Sequence, residues 1–252
     1  GFDNLYGVIM CEPNESELEI LGNYAFENNA ITGWLYPPGW FHDVSTNEIF
    51  ELPPNIKKVG TGAFLNNSLS GRLILPPSLH DTVEGDVITE AAVGNKAFGY
   101  NRLTEVHLSP YMYKIPAGAF MANQIKAFGI PHPSTGELSL GEIKEIGTRA
   151  FYFNVLGSDD ENHTLSISGN VVNLGVEAFA FNQLKNVVVD QWEGGLTSLP
   201  TGVFRNNEIK NIVLADQITE IGDYAFCHNM LGSGDSQLFA INFAERYERN
   251  NL

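Results

Sequence analysis

Short apolar segments alternate with turn-forming segments along most of the chain, and the stretch Asn211–Leu231 shows this arrangement in its simplest form. It begins with Ile212, Val213 and Leu214, passes through a polar turn, and continues to an Ala-Phe pair followed by an asparagine. An apolar–x–apolar segment of this kind predicts a strand with one buried face. No segment keeps a helical period long enough to predict an extended helix.

The same pattern recurs eight times, with the phenylalanine of the Ala-Phe pair (Val-Phe in one repeat) as its fixed point. An asparagine follows each phenylalanine by three residues, and Ile or Leu follows it by five. By subtraction the anchors lie 38, 34, 22, 31, 28, 25 and 22 residues apart, so 22 residues form the basic repeat and longer spacings contain insertions. The phenylalanines are Phe26, Phe64, Phe98, Phe120, Phe151, Phe179, Phe204 and Phe226; the asparagines are Asn29, Asn67, Asn101, Asn123, Asn154, Asn182, Asn207 and Asn229.

These two columns of residues predict a stack of repeats with a shared interior. A unit of 22 residues cannot bury its apolar face alone, so neighbouring units must cover one another. Each buried phenylalanine would contribute about 1.5–3 kcal/mol. An asparagine between two core positions is costly unless its amide bonds to nearby backbone groups. We therefore interpret the phenylalanines as the core and the asparagines as a buried hydrogen-bonding ladder.

Motifs such as EIGDYAFCHNML, VGNKAFGYNRLTEVHLSP and LGVEAFAFNQLKNVVVD resemble the BspA-like leucine-rich repeat family. The family pattern is aliphatic–Gly–x–x–Ala–Phe, then Cys or Asn, then Leu-x-x-Val-x-Ile-Pro, and the resemblance covers about residues 18–243. It implies a bacterial protein that is secreted or displayed at the cell surface. Several members resemble adhesins for host matrix proteins or other cells, and the family has no catalytic motif to transfer.

The predicted fold is a right-handed α/β solenoid, rich in β-structure, with about eight repeats. Parallel strands would line one face, and the Gly/Pro-x-x-Ala-Phe segments would form tight turns or single helical turns on the other. Residues 1–17 do not fit the repeat and are expected to cap its first turn. The repeats occupy residues 18–243, and residues 244–252 are interpreted as a C-terminal tail or cap.

Composition argues against two classes of partner. The chain has 252 residues, 43% of them hydrophobic, and a formal net charge of −16 at pH 7. Such a charge is unfavourable for binding the phosphate backbone of nucleic acids or an anionic lipid surface. No segment approaches the roughly 20 apolar residues of a membrane span. Cys11 and Cys227 would lie far apart in a linear solenoid, so no disulfide between them is expected.

The insertions are the predicted binding elements, because insertions in repeat proteins commonly gather on one face. Trp40, Phe41 and His42 lie in the insertion at residues 37–55, and Trp192 lies in a later, smaller one. Exposed aromatic side chains could anchor a protein partner or stack on sugar rings. The alternative is that these rings fold back and cover the edge of the stack.

Three lysines form a second candidate surface, since each follows its phenylalanine by six residues and equivalent positions should align. They could form a basic stripe that meets an acidic partner, or simply a solvated edge. The lysines are Lys126, Lys185 and Lys210.

No catalytic, metal or cofactor site is predicted. The acidic loop Asp159–His163 offers oxygen ligands of the kind that calcium prefers, but its spacing matches no EF-hand and it reads more simply as a solvated loop. Neither HExxH, GxSxG nor a glycine-rich phosphate loop occurs. The predicted function is therefore non-enzymatic recognition or adhesion at the cell surface or outside the cell, in which the insertion loops and the outer strand face bind a protein of a host or of a neighbouring cell. A glycan-binding module is the first alternative, and a β-helix enzyme acting on polysaccharide, which needs charged groups clustered on one strand face, is the second.

Overall fold

The computed structural model describes residues 9–10, 17–32, 34–35, 49–159, 162–191, 193–232 and 241–243. Within these ranges the chain forms strands and turns, and no helix occurs among them. The predicted tail at 244–252, and all of the predicted cap at 1–17 except residues 9, 10 and 17, lie outside the described residues. The described strands are β1 (Ile9–Met10), β2 (Ile20–Leu21), β3 (Trp34–Leu35), β4 (Ile49–Glu51), β5 (Lys58–Val59), β6 (Ser70–Ile74), β7 (Thr82–Glu84), β8 (Val87–Glu90), β9 (Arg102–His107), β10 (Lys114–Ile115), β11 (Ala127–Pro131), β12 (Leu138–Ser139), β13 (Glu145–Ile146), β14 (Thr164–Ile167), β15 (Asn173–Leu174), β16 (Asn186–Val189), β17 (Ser198–Leu199), β18 (Asn211–Leu214), β19 (Glu220–Ile221) and β20 (Ile241–Phe243).

The longer strands form two sheets on one side of the stack. The first sheet has the order β4-β6-β9-β11-β12, and the second has the order β14-β16-β18-β20. Every pairing in them is parallel except β11 with β12. Alternate side chains are buried, as Val187 and Val189 are in β16. The apolar–x–apolar segments thus form strands with one buried face, as predicted.

Strands of two residues form the other side of the stack, in the sheets β2-β5, β10-β13-β15 and β17-β19, again with parallel pairing. Between the two sides, the Gly/Pro-x-x-Ala-Phe segments form turns. Parallel strands joined by turns and repeated along the chain fit the predicted repeat solenoid. The described residues are all-β, however, which corrects the predicted α/β class: the Gly/Pro-x-x-Ala-Phe segments form tight turns that hydrogen-bond to the following turn, and not single helical turns.

The eight phenylalanines form one continuous column inside the stack. Each ring stacks on the next, with centroids 5.4–5.8 Å apart and ring planes within 23° of parallel. The six inner rings are completely buried, whereas Phe26 and Phe226 at the two ends are only partly buried. Offset stacking of this kind contributes beyond the burial of apolar area.

The asparagines form a hydrogen-bonded ladder beside the phenylalanine column. Asn123 Nδ2 donates to the carbonyl oxygens of Phe98 (3.0 Å), Phe120 (3.1 Å) and Met121 (3.2 Å), and its Oδ1 accepts from the N–H of Leu103 (3.0 Å). One amide side chain therefore connects two successive repeats. Asn67, Asn101, Asn182 and Asn207 occupy equivalent buried positions with equivalent bonds.

The turns have a backbone conformation that residue types do not reveal. The residues two before and two after each phenylalanine have φ between 53° and 63°, the left-handed region. Three of these residues are glycines, and all thirteen described non-glycine residues with positive φ fall in these positions. Left-handed non-glycine residues cost about 1–3 kcal/mol each and persist only where the surroundings enforce them. The thirteen are Tyr24, Asn28, Asn66, Lys96, Tyr100, Ala122, Arg149, Phe153, Glu177, Phe181, Asn206, Tyr224 and His228.

A ladder of backbone hydrogen bonds between successive turns enforces this conformation. The Phe98 N–H donates to the carbonyl of Ala119 at 2.9 Å, and the residues two before and two after Phe98 donate to the same following turn, each also at 2.9 Å. Equivalent bonds connect the other successive turns. Because three donors per turn point towards the following turn, the turns pack backbone against backbone.

This close packing explains the glycine that recurs four residues before most of the phenylalanines. A Cβ atom on Gly175 would lie 2.1 Å from the backbone nitrogen of Thr148 and 2.3 Å from the carbonyl carbon of Gly147. Both are atoms of the preceding turn, and distances this short exclude any side chain. Glycine is therefore required at this position where the turn packs directly on the preceding one, whereas Pro116 and Pro200 fill it in two repeats and Gly22, in the first described turn, has open space.

Two of the predicted insertions form antiparallel hairpins. The insertion after β6 contains β7 paired with β8, and its side chains are mostly exposed. The insertion after β11 folds back as β12, in which Ser139 and Leu138 pair with Ile130 and Pro131. Because β12 lies against β11, the next long strand, β14, begins a separate sheet.

Candidate binding surfaces

The predicted loop aromatics cannot be placed on any surface. Trp40, Phe41, His42 and Trp192 all lie outside the described residues, as do Asp160 and Glu161 of the acidic loop.

The three predicted lysines lie along one column but in different surroundings. Lys126 is exposed, and its Nζ lies 3.0 Å from Oδ1 of Asp159. Lys185 is buried and pairs with the carboxylate of Glu208. The N–H of exposed Lys210 donates to the Lys185 carbonyl at 2.8 Å, so these two residues are direct neighbours. Acidic side chains therefore offset the charge of two of the lysines.

A charged cluster lies on the outer face of the first long sheet. Glu105 accepts hydrogen bonds from Nε and Nη2 of Arg72, at 3.0 and 3.2 Å, and contacts Nε2 of His107 at 2.5 Å. Burial disfavours the charged carboxylate, but the hydrogen bonds and charges of Arg72 and His107 outweigh burial and lower the pKa of Glu105. The enzyme alternative requires several carboxylates or bases clustered on one strand face, whereas this cluster has one carboxylate and one imidazole. A carboxylate held by two partners with a lowered pKa is also a poor general base.

Glu105→Gln is expected to lower the free energy of unfolding at pH 7 by about 0.5–1 kcal/mol, because the glutamine loses the charge-assisted bonds. The folded-state pKa is below the reference value of 4.5, so the stabilisation is present above about pH 4.5 and is lost as the pH falls through the folded-state value. Urea denaturation of both proteins between pH 7 and pH 3 measures this, with Glu51→Gln, an exposed position on β4, as the control. A difference that stays constant over the whole pH range would contradict the assigned ion pair.

A cluster of aromatic and arginine side chains, exposed at Arg149 and Phe153 and half-buried elsewhere, lies on the turn face of the stack. We call it the turn patch: Arg149, Tyr152, Phe153, Phe181 and Arg205. Ring centroids of Tyr152 and Phe153 lie 5.1 and 6.4 Å from that of Phe181. The Arg149 and Arg205 guanidinium carbons lie over the rings of Tyr152 and Phe181, each at 5.3 Å. The Phe153 side chain is unusually open for its type, with 60% of its surface exposed.

Glu177 connects the two arginines of the turn patch. Its carboxylate lies 2.6 Å from Arg149 Nε and 3.6 Å from Arg205 Nη1. The hydrogen bond and charge of Glu177 raise the pKa of Arg149 further. These contacts hold both guanidinium groups in place beside the rings, so the patch is preorganised.

A groove of about 730 Å³ runs beside the turn patch along the asparagine ladder. Phe153 and Phe181 form part of its lining, together with the amide side chains of Gln124 and Gln183. The groove thus combines apolar rings with planar hydrogen-bonding groups.

The sequence contains a signal for this surface that the prediction did not use. Two residues after each phenylalanine most repeats have a small or polar residue, but three have Tyr100, Phe153 and Phe181. Large rings at a position that other repeats fill with Asn or Ala are not needed for the core. They therefore indicated an exposed aromatic surface.

The second candidate surface is the sheet-break cleft, which lies between β11–β12 and β14 and has a volume of about 500 Å³. Its lining includes the buried side chains of Leu140, Leu156 and Leu165. Lys126, one of the predicted lysines, also lines it. The cleft exists because β12 takes the place beside β11 that a further parallel strand would otherwise occupy.

Neither a metal-ligand cluster nor a membrane-spanning helix occurs in the described residues. Within the described ranges, no three His, Cys, Asp or Glu side chains converge as a metal site would require. The described residues also include no helix long and apolar enough to span a membrane. Cys227 is a partly buried free thiol.

Comparison with known proteins settles the family. A family model described as a BspA type leucine rich repeat region matches residues 91–231 in six copies, which is more than half of the chain. The chain belongs to the BspA-type leucine-rich repeat family. No curated protein matches it.

One solved structure similar to this BspA-type chain is a leucine rich cell surface protein from Faecalibacterium prausnitzii A2-165. The two chains are 13% identical, the alignment covers 89% of this chain and 67% of the other, and the TM-score is 0.36.

Proposed function

We propose that this BspA-type chain is a non-enzymatic recognition protein of a bacterial surface, and that it binds a protein partner through the turn patch. Family membership supports a surface role. The observation that carries the proposal is the exposed ring of Phe153 beside the half-buried rings of Tyr152 and Phe181, with an arginine over each of the latter two. Tyr, Phe and Arg are enriched at the centres of protein interfaces, where they carry most of the binding energy.

The patch has features that reduce the cost of binding. The rings are already in mutual contact, and Glu177 already fixes the two arginines, so few side chains need to be ordered on association. The left-handed backbone at Phe153 and Phe181 projects these side chains from rigid turns. An extended surface of this kind suits a partner that contacts several repeats at once.

The proposal takes the repeats to form one right-handed coil of eight turns, of which the family model matches six copies. The predicted contributions of Trp40, Phe41, His42 and Trp192 to the same binding function remain predictions, as does adhesion to a host or neighbouring cell. Contact through the insertions and the outer strand face would add to contact through the turn patch.

Phe153→Asn tests the proposal without disturbing the fold. Asparagine tolerates the left-handed conformation, and the equivalent positions Asn28, Asn66 and Asn206 already have it. The free energy of unfolding of the variant is expected to lie within about 0.5 kcal/mol of the value for the parent chain. Its affinity for a protein captured from a panel of purified matrix and surface proteins should fall at least about tenfold, as measured by surface plasmon resonance.

The matched control is Tyr111→Ser, which removes an exposed ring (53% exposed) outside the turn patch. It is expected to bind as the parent does. Equal affinities of all three proteins would refute the role of the patch, and failure of the whole panel to bind would count against a protein ligand.

A glycan is the second candidate ligand, favoured by the groove in which rings adjoin the amides of Gln124 and Gln183. Aromatic faces stack on sugar rings, and planar amides bond to hydroxyl groups. Screening the parent chain and Phe153→Asn on a glycan array distinguishes the two ligands. If the parent chain binds a glycan, Phe153→Asn abolishes that binding, and no protein of the panel binds, then the ligand of the turn patch is a carbohydrate and not a protein.

A further inference from the structure

We propose that the sheet-break cleft binds an extended peptide segment, which adds to the free edge of β14 as an extra strand and carries a basic side chain. This inference goes beyond the function proposed for the turn patch, because it concerns a different surface and different contacts. It rests on the direction of the β14 backbone, the recessed position of its edge and the charge of the cleft.

The backbone direction follows from two hydrogen bonds to β16. The Asn186 N–H donates to the His163 carbonyl at 3.3 Å, and the Asp190 N–H donates to the Ile167 carbonyl at 2.9 Å. Alternate residues of a strand direct their backbone groups to opposite sides. The backbone groups of His163 and Ile167 point towards β16. The residues that alternate with them, Thr164 and Ser166, therefore direct their N–H and C=O groups towards the cleft.

No other described strand pairs with β14 on this side, so its edge is free for pairing within the described part of the chain. Proteins usually block such edges with proline, lysine or a bulge. The β14 sequence Thr-Leu-Ser-Ile contains neither proline nor lysine, and its pairing with β16 has no register shift. The flanking hairpin instead recesses this edge in a cleft, which leaves it open to one narrow segment and closed to a broad sheet.

The lining of the cleft fits the alternating side chains of an extended peptide. Buried Leu140, Leu156 and Leu165 offer contacts to apolar side chains that point inward. About 500 Å³ is enough for a few residues of an extended chain and too little for a folded domain. Strand addition obtains affinity from main-chain bonds and specificity from such alternate contacts.

The charges select a basic peptide. Lys126 in the cleft lining is already paired with Asp159, which lies 3.0 Å away. Among the described residues, neither Glu137 nor Asp190 forms an ion pair, and both line the cleft. Asp190 only accepts a hydrogen bond from the Ser166 hydroxyl, at 2.9 Å. A lysine or arginine of the peptide would therefore find two carboxylates that lack a cationic partner.

Amide hydrogen exchange of the intact chain tests the free edge without a ligand. The Ser166 and Thr164 amides should exchange at least about tenfold faster than those of Leu165 and Ile167, which pair with β16. Equal protection of all four amides would show that the edge is already covered and would overturn the proposal.

A phage-displayed library of random peptides, panned against the intact chain, supplies the peptide probe. An enriched peptide, synthesised with and without backbone N-methylation at alternate residues, should bind at least about tenfold more weakly when the edge-facing set is methylated. Ser166→Pro, which removes the edge N–H, should weaken binding similarly, whereas Ser166→Ala should change it less than about threefold. Because methylation alters only the peptide, the result does not depend on the folding of a variant.

Several results would overturn the proposal. They are panning that enriches no peptide, binding that tolerates both methylated sets, and enriched peptides without Lys or Arg. Phe153→Asn serves as the control for independence, since it should leave peptide binding unchanged. Loss of peptide binding in that variant would assign the peptide to the turn patch instead of the cleft.

Discussion

Phe151→Ala is expected to lower the free energy of unfolding by about 3–5 kcal/mol, the range for removing a buried aromatic ring and leaving a cavity. The Phe151 ring is completely buried between Phe120 and Phe179, with centroids 5.4 and 5.7 Å away, and Phe128 lies 3.9 Å from it. Three aromatic contacts are lost at once. Calorimetry or urea denaturation followed by circular dichroism measures the change.

The same substitution should also reduce cooperativity. Stability in a repeat stack is close to a sum of repeat and neighbour contributions, so a weakened layer in the middle separates the two halves. A broadened or two-step transition is therefore expected. Phe226→Ala is the control, because Phe226 is partly buried and stacks only on Phe204 in the column. It should cost about 1–2 kcal/mol and keep a single transition. Equal losses for both variants would contradict the stacked core.

Asn123→Ala is expected to lower the free energy of unfolding by about 2–4 kcal/mol, for a different reason. The alanine would leave the buried Leu103 N–H without its acceptor. It would also remove one of the two amide donors to each of the Phe98 and Phe120 carbonyls, which keep Asn101 and Asn154, at about 0.5–1.5 kcal/mol for each lost bond. Each unsatisfied buried group costs about 1–3 kcal/mol. Thermal unfolding measured by calorimetry tests this expectation.

Asn29→Ala provides the control for the ladder. Within the described part of the chain, the Asn29 amide donates to carbonyls of its own turn, Phe26 and Glu27, and the residue is half-buried. The loss should therefore be about 1 kcal/mol. If both substitutions lowered the free energy of unfolding equally, the hydrogen bonds that Asn123 makes between repeats would not be the source of its contribution to stability.

Much of the fold could be predicted because repetition multiplies a weak signal. One apolar–x–apolar segment is ambiguous, but eight in register with an invariant Phe and Asn fix the strands and turns. The left-handed turn residues could not be predicted. Tyr, Lys, Arg, Glu and Phe occupy them with no common chemistry, since the backbone ladder between turns enforces the conformation. The break in the long sheet could not be predicted either. It depends on the pairing of β12 with β11, and β12 has only two residues, too few to give a recognisable strand pattern in the sequence.

The candidate sites were less predictable than the fold. Insertions depart most visibly from the repeat, so the sequence predicts binding by their aromatics, which lie outside the described residues. Phe153 and Phe181 sit at a regular repeat position, where only a comparison of equivalent positions distinguishes a surface ring from a core ring. The sequence predicts Lys126 as part of a basic stripe. In the structure its charge is offset by Asp159, a residue of the following repeat.

The directional bonds between turns have a consequence for how such a chain can change in length. Every turn presents the same donors to one neighbour and the same acceptors to the other, whatever its side chains, as the bonds from Phe98 to Ala119 and from Phe179 to Val203 illustrate. A whole turn cut out of the middle, or copied into it, would leave two faces that still match. The number of turns, and with it the length of the stack, can therefore change without a new kind of contact between neighbouring turns.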